Sequence, residues 1–153
     1  MPRIERTIEI ERPPEEIWPR VSLEKFPEWI DFFKRVEWTS KAKDKTGATA
    51  RVTVEIWGEK VDSNMEMTEV VKNERRVWLA ADENMRTAGL VVLSPTKSGT
   101  KVIVVMNYDF PKSEFGKLTS TMFTIFSKKI EKDVEKGLKK LKNALEKQAT
   151  PTL

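Results

Sequence analysis

Residues 112–148, KSEFGKLTSTMFTIFSKKIEKDVEKGLKKLKNALEKQ, form the stretch that decides the fold. Apolar residues recur in it every three or four positions, the period of an amphipathic α-helix; they are Phe115, Leu118, Met122, Ile125, Phe126, Ile130, Val134, Leu138, Leu141 and Leu145. A helix of this length is roughly 50 Å long and cannot bury its own apolar stripe. The sequence therefore predicts one long C-terminal helix covered by other elements. Gly137 is a weak point in it that costs up to about 1 kcal/mol relative to alanine.

The residues that precede this helix predict a β-sheet, because apolar and polar residues alternate along them with a period of two. One strand is predicted over residues 4–11, and six more follow between about residues 33 and 110. Clusters of glycine, asparagine, proline and charged residues predict turns between these strands, at residues 43–47, 58–59, 72–74 and 95–99. The short turns predict an antiparallel meander.

Two short helices are predicted between the first strand and the meander. The first begins at Pro14, which suits a first helical position, and Pro19 is expected to break or kink it. The second covers about residues 23–30. No linker or repeat divides the chain, so the prediction is one α+β domain over residues 1–148 with a flexible tail at 149–153. In this domain a seven-stranded antiparallel sheet curls around the C-terminal helix.

The composition narrows the possible chemistry. The chain has 153 residues, an ordinary length for one domain, and contains no histidine and no cysteine. Without cysteine, disulfides and thiolate chemistry are excluded. Without histidine, histidine-based triads and the usual zinc, iron and copper sites are excluded. We therefore expect no metal and no other cofactor, and we favour binding over catalysis.

The charge pattern gives no strong indication of a macromolecular partner. Lys+Arg number 28 and Asp+Glu number 24, a net charge of +4, and the lysine excess lies between Lys128 and Lys147. Glutamates are interspersed with these lysines, which indicates a solvated helix face rather than a nucleic-acid footprint. There is no apolar run long enough to span a membrane and no signal-peptide core in residues 1–12, so we expect a cytoplasmic protein. The single glutamine and abundant Lys and Glu are typical of thermophiles.

Several motifs resemble a known superfamily. IEIERPPEEIW at residues 8–18 resembles the opening strand and first helix of the START-related (SRPBCC) superfamily, which includes the birch pollen allergen. FPEWI at 26–30 resembles the aromatic-Pro-x-Trp-aliphatic element of its second helix. Later segments resemble its polyketide cyclase/dehydrase-like branch; these are residues 76–78, 88–89, 93–102 and 106–109. The resemblance implies the helix-grip fold over about residues 3–147. Pro19 and the absence of histidine depart from the branch, and the latter excludes any cyclase mechanism that uses a histidine.

The resemblance also implies a ligand site between the concave face of the sheet and the N-terminal half of the long helix. Strand parity and helical spacing place one set of side chains on its walls: Val54, Met65, Met67, Met106, Tyr108, Leu118, Met122 and Phe126. The resemblance adds Trp29 and Phe33, from the region that covers the mouth, and Trp78. Core packing is the alternative role for the methionines. Tyr108 is either a core residue or a weak catalytic candidate.

These observations predict a binder or carrier of a small hydrophobic molecule, such as a lipid, isoprenoid, quinone or polyketide, without catalytic activity. One alternative is a polyketide cyclase or dehydratase that folds its substrate into a reactive shape, with Tyr108 as an acid. The other is a protein-interaction module, such as a chaperone activator or an accessory subunit of an oxidoreductase, which a fully packed interior would favour. A protein partner or homodimer stays open, with outward-facing Trp57 as a candidate interface residue.

Overall fold

The computed structural model describes residues 3–83, 85–109 and 120–147. Its strands form one seven-stranded sheet in the order β1-β7-β6-β5-β4-β3-β2, with every neighbouring pair antiparallel. The strands are β1 (Arg3–Ile10), β2 (Phe33–Trp38), β3 (Thr49–Ile56), β4 (Glu59–Val71), β5 (Arg75–Ala81), β6 (Arg86–Pro95) and β7 (Thr100–Asp109). The long C-terminal helix covers Ser120–Lys147. The predicted α+β helix-grip fold is therefore confirmed.

The core lies between the concave face of the sheet and the C-terminal helix. Alternate residues of β3 are buried, from Ala50 through Val54 to Ile56, as their parity predicts. The helix contributes a buried stripe made of Phe126, Ile130, Val134, Leu138, Leu141 and Leu145. Complete burial of one such side chain stabilises the fold by about 1.5–3 kcal/mol, so this contact is what holds the helix in the sheet.

The two short helical segments lie between β1 and β2, as predicted. The first consists of α1 (Pro14–Ile17) and a 3-10 turn (Trp18–Val21), and the second of a 3-10 turn (Leu23–Lys25) and α2 (Phe26–Trp29). The α-helical part of the first segment ends at Ile17, immediately before the pair Trp18-Pro19. This confirms the expected break at Pro19, because proline has no N–H for the helical ladder. In chain order the C-terminal helix is α3.

The turn between β3 and β4 differs from the prediction by one residue. The two central residues are Trp57 and Gly58, with φ of 53° and 82°, and Glu59 already pairs with Ile56 in the ladder. The prediction of Gly58–Glu59 was therefore wrong. A two-residue hairpin with both φ values positive matches the right-handed twist of its strands, so Trp57 adopts a backbone conformation that bulky residues rarely take.

Polar contacts attach α3 to the edge strand β1. Arg6 donates to Glu131 at 3.1 Å and to Glu135 at 2.6 Å. Near the other end of the helix, the backbone N–H of Glu11 donates to the Glu146 carboxylate at 2.8 Å. That hydrogen bond is the main reason why the pKa of Glu146 is lowered. The helix thus covers one edge of the sheet, which would otherwise expose backbone groups for pairing.

Some predictions fall outside the described residues. They are the start of the long helix at 112–119, including Leu118, and the tail at 149–153. Within the described ranges, no helix combines the length and the apolar character that crossing a bilayer requires.

Candidate functional site

The buried interior contains most of the predicted wall residues. None of the following exposes more than 4% of its surface: Trp29, Phe33, Val54, Met65, Met67, Trp78, Met106, Tyr108 and Phe126. Strand parity therefore identified the inward face of β3, β4 and β7 correctly. Contact of these side chains with a ligand stays a prediction.

Met122 does not belong to this interior. Its side chain is 49% exposed, and that of Ile125, from the same predicted stripe, is 56% exposed. Trp57, at the tip of the β3–β4 hairpin, packs on Phe126 with ring centroids 5.5 Å apart, and Met122 lies one turn further toward the start of α3. Helical periodicity identifies residues that share a face. Each step of four residues also turns about 40° around the helix axis, so Met122 lies at the solvent-facing margin of the stripe that contains Phe126 and Ile130.

A cavity lies between the sheet and α3. Its walls include five residues of the predicted set, namely Phe33, Val54, Trp78, Met106 and Tyr108. Its volume is about 20 Å³, enough for roughly one water molecule. Ligand sites of small-molecule binders typically measure about 300–1,000 Å³, so the side chains themselves fill most of the space that the sequence assigned to a ligand.

Four further residues line this cavity and were missed in the sequence: Phe32, Met85, Thr87 and Ile130. Ile130 belongs to the apolar stripe of α3, and Thr87 shares the inward parity of β6 with Gly89 and Val91, so both had a detectable signal. Met85 lies between β5 and β6 and has no periodic context. Its backbone N–H donates to the Asp82 carboxylate at 3.0 Å. This hydrogen bond lies within the connection from β5 to β6, from which Met85 reaches the cavity wall.

Tyr108 contributes the phenol of the cavity wall. Its ring packs against Phe126 with centroids 6.0 Å apart. Burial raises the pKa of Tyr108; a hydrogen bond with Ser127 acts in the opposite direction, and the charge of Glu131 raises the pKa further. The phenol is consequently neutral at physiological pH, and it can donate a proton or a hydrogen bond but not act as a base.

Aromatic rings build the end of the cavity near α2. Phe26 lies at their centre, with its ring centroid 5.5 Å from that of Trp29, 5.2 Å from that of Phe33 and 5.3 Å from that of Trp78. Trp78 fits only because its register partner is Gly89, where a Cβ would lie 2.3 Å from the indole. Buried Trp29 Nε1 has no hydrogen-bond partner within the described part of the chain.

Arg76 is a charged residue of the concave face that the sequence interpretation did not single out. It is 1% exposed; its Nε and Nη2 donate to the two carboxylate oxygens of Asp44 at 2.7 Å each, and its Nη1 donates to the Trp18 carbonyl at 2.8 Å. The guanidinium also lies 3.6 Å from the centroid of the Trp18 ring. Since these partners occupy the guanidinium, Arg76 ties the first helical segment to the sheet and is not available for chemistry.

The fold and its buried apolar site define a START-like, polyketide cyclase-like ligand-binding domain. The chain matches the family model described as "Polyketide cyclase / dehydrase and lipid transport" over residues 1–146. It therefore belongs to that family, and the predicted superfamily resemblance is confirmed. A search of curated protein sequences found no match.

Solved structures share the fold at low sequence identity. A protein of Thermus thermophilus is 20% identical with a TM-score of 0.76, over 97% of this chain and 100% of that one. The Zhui aromatase/cyclase from a Streptomyces species is 12% identical with a TM-score of 0.74, over 99% of each chain. A START superfamily protein from Mycobacterium smegmatis is 17% identical with a TM-score of 0.72, over 94% of this chain and 98% of that one. At these identities, the likeness establishes the fold alone.

Proposed function

We propose that the protein binds or carries a small hydrophobic molecule, such as a lipid, isoprenoid, quinone or polyketide, between its sheet and α3. The observation that carries this proposal is the chemistry of the cavity wall. Apart from two hydroxyl groups, the lining side chains are apolar. The Thr87 hydroxyl donates to the carbonyl of Asn107 at 2.6 Å, and the buried Tyr108 phenol is neutral because burial raises its pKa. Such a wall suits an apolar guest and offers no catalytic pair.

The cavity is too small to hold a lipid-sized guest unless its walls rearrange. A lipid-sized guest requires side chains to change rotamer, and Met85 and Met106 of the wall are unbranched and adaptable. Met65 and Met67 are also buried, on the inward face of β4. Burying the apolar surface of the guest contributes about 25 cal/mol of favourable free energy per Å². This contribution offsets the cost of rearranging these side chains.

The test combines extraction with probe uptake. Protein purified under native conditions is examined by native mass spectrometry and, after organic extraction, for bound apolar molecules. A fluorescent fatty-acid analogue then serves as the probe. We expect wild-type protein and Thr87→Val to take up the probe, because valine keeps the shape of threonine. We expect Thr87→Ile to take up less, because the added methylene occupies the cavity.

Absence of both an extractable molecule and probe uptake in the wild-type protein would contradict the proposal. Equal uptake by Thr87→Ile and Thr87→Val would move the binding site away from this cavity. The small volume favours the protein-interaction module as a second candidate, and a negative result in both assays supports that candidate.

A third candidate is a cyclase or dehydratase, which the neutral, buried phenol of Tyr108 favours as a proton donor. Tyr108→Phe distinguishes this candidate, since the variant removes the acid and keeps the ring. Lost turnover of a polyketide-like substrate with retained probe uptake would support an enzyme. Unchanged turnover would remove Tyr108 from the mechanism.

A further inference from the structure

The solvent-facing side of α3 carries lysines and no acidic residue over most of its length. Six exposed lysines lie within an arc of about 120° around the helix axis, and we refer to them as the lysine face: Lys128, Lys132, Lys136, Lys139, Lys140 and Lys147. Uncharged Asn143 shares this arc. An alternating pattern of lysine and glutamate in sequence thus becomes a one-sided positive surface in the folded helix.

The acidic residues of α3 all have partners, and all but Glu146 lie outside this arc. Glu131 and Glu135 bind Arg6 of β1, and Glu146 accepts the backbone N–H of Glu11. Buried Asp133 pairs with Lys129 at 2.9 Å. Within the lysine face, Lys136 reaches a carboxylate of Asp31 at 3.8 Å; the other five lysines form no ion pair with any described residue. Five of the six lysines of this face therefore keep a positive charge that no ion pair with the described residues neutralises.

The same arc continues into an exposed apolar group at the N-terminal end of α3. Met122 and Ile125 are about half exposed there, and Trp57 of the β3–β4 turn is 51% exposed; we call these three residues the apolar tip. Trp57 also holds a positive φ of 53°, which costs energy for a bulky residue. Exposed apolar surface and backbone strain at one place favour an interaction surface over simple packing.

From this arrangement we infer that α3 docks on an anionic lipid surface, with the lysine face on the headgroups and the apolar tip inserted among the acyl chains. A basic stripe that continues into exposed tryptophan and aliphatic side chains is the pattern of interfacial helices. Buried Phe126 packs on Trp57 at one side and on Tyr108 at the other. Phe126 therefore lies between the apolar tip and Tyr108 of the cavity wall. Docking through the apolar tip brings this part of the wall close to the bilayer. The inference concerns a surface and does not depend on the cavity holding a ligand.

Co-sedimentation with vesicles tests the lysine face. We expect the full chain to sediment with vesicles of phosphatidylcholine and phosphatidylserine, less as salt is raised, and weakly with phosphatidylcholine alone. Each lysine near such a surface is worth about a fivefold change in affinity, so Lys132→Gln/Lys136→Gln/Lys139→Gln should weaken binding about 100-fold. The matched control, Lys41→Gln/Lys43→Gln/Lys45→Gln, removes the same charge from three exposed lysines at the opposite end of β3 and should change binding less than tenfold.

The apolar tip is tested with Ile125→Asp, and the control is Leu79→Asp, which changes an exposed leucine on the outer face of the sheet. We expect Ile125→Asp to lose vesicle binding and Leu79→Asp to keep it. Tryptophan emission of the wild-type protein should shift to the blue on vesicles, and Trp57→Phe should abolish the shift. Circular dichroism confirms that each variant is folded.

Three results would overturn the inference. One is an absence of sedimentation with anionic vesicles. Another is equal loss of binding in the two lysine triples, which would mean attraction by net charge alone. The third is binding of double-stranded DNA at least as tight as that of vesicles and insensitive to Ile125→Asp, which would assign the face to polyanions. Thr87→Ile separates the two proposals, because we expect it to lose probe uptake and to keep vesicle binding.

Discussion

Gly137 of α3 lies so close to Trp29 of α2 that a Cβ on the glycine would be 2.2 Å from the Trp29 carbonyl oxygen and 3.1 Å from a ring carbon of its indole. Glycine at this position allows the backbones of the two helices to approach. The residue that weakens an isolated helix therefore permits the contact between α2 and α3 that closes the aromatic end of the core.

Gly137→Ala is expected to destabilise the protein. Helix propensity alone would stabilise it by up to about 1 kcal/mol, but the new methyl group meets backbone atoms that cannot rotate away, and overpacking of this kind costs about 1–3 kcal/mol. Urea denaturation measures the difference, with exposed Asn143→Ala in the same helix as the control. A variant as stable as the wild-type protein would show that α2 and α3 separate without cost.

Gly89→Ala is expected to displace the Trp78 indole, because the Cβ would lie 2.3 Å from that ring. We expect a loss of about 1–3 kcal/mol of stability and a change in the near-ultraviolet circular dichroism of tryptophan. Gly58→Ala is the matched control, since a Cβ there has open space and only the positive φ of 82° is strained. An unchanged spectrum in Gly89→Ala would contradict the close packing of Trp78 on β6.

Tyr108 is the single tyrosine of the chain, so tyrosinate absorbance reports its ionisation directly. Its pKa is raised above the ordinary 10.0, mainly by burial, and the titration midpoint of the native protein should exceed that of the unfolded chain. Because the folded state holds this proton more tightly, the contribution to stability is complete below pH 10.0 and is lost as pH rises through the folded pKa.

Variants of the two neighbours of Tyr108 should shift that midpoint in opposite directions. Ser127→Ala removes a hydrogen bond that lowers the pKa and should raise the midpoint, whereas Glu131→Gln removes a negative charge and should lower it. A native midpoint equal to or below that of the denatured protein would contradict the burial of the phenol.

Arg76→Ala is expected to destabilise the fold by about 3 kcal/mol, because breaking a buried ion pair leaves Asp44 and the Trp18 carbonyl without their donor. Arg75→Ala, one residue earlier on the exposed face of the same strand, removes contacts to Glu69 and Glu74 and should cost less than about 1 kcal/mol. Thermal unfolding compares the two variants. Equal losses of stability in the two variants would show that the buried Arg76 ion pair contributes no more than the exposed contacts of Arg75.

Local sequence signals predicted most of the fold and the inward side of the site. Alternation along β3 and β7 identified which side chains point inward, and Pro19 correctly marked the end of α1. These features depend on residues close together in the chain. Met85 escaped prediction because it lies in the connection between β5 and β6, outside any periodic element. Met122 was misplaced because a spacing of four residues turns about 40° around the helix axis, which carries it from the buried stripe toward solvent.

The sequence by itself determined the order of elements, their inward faces and, through the missing histidine and cysteine, the chemistry that the site excludes. Tertiary structure alone decided how closely the walls of the cavity approach each other, why Gly137 is needed, and that Glu131 and Glu135 of α3 pair with Arg6 of β1. The physical reason is that periodicity fixes directions around a strand or helix, whereas volumes, close contacts and the pairing of charges depend on distances between segments remote in sequence.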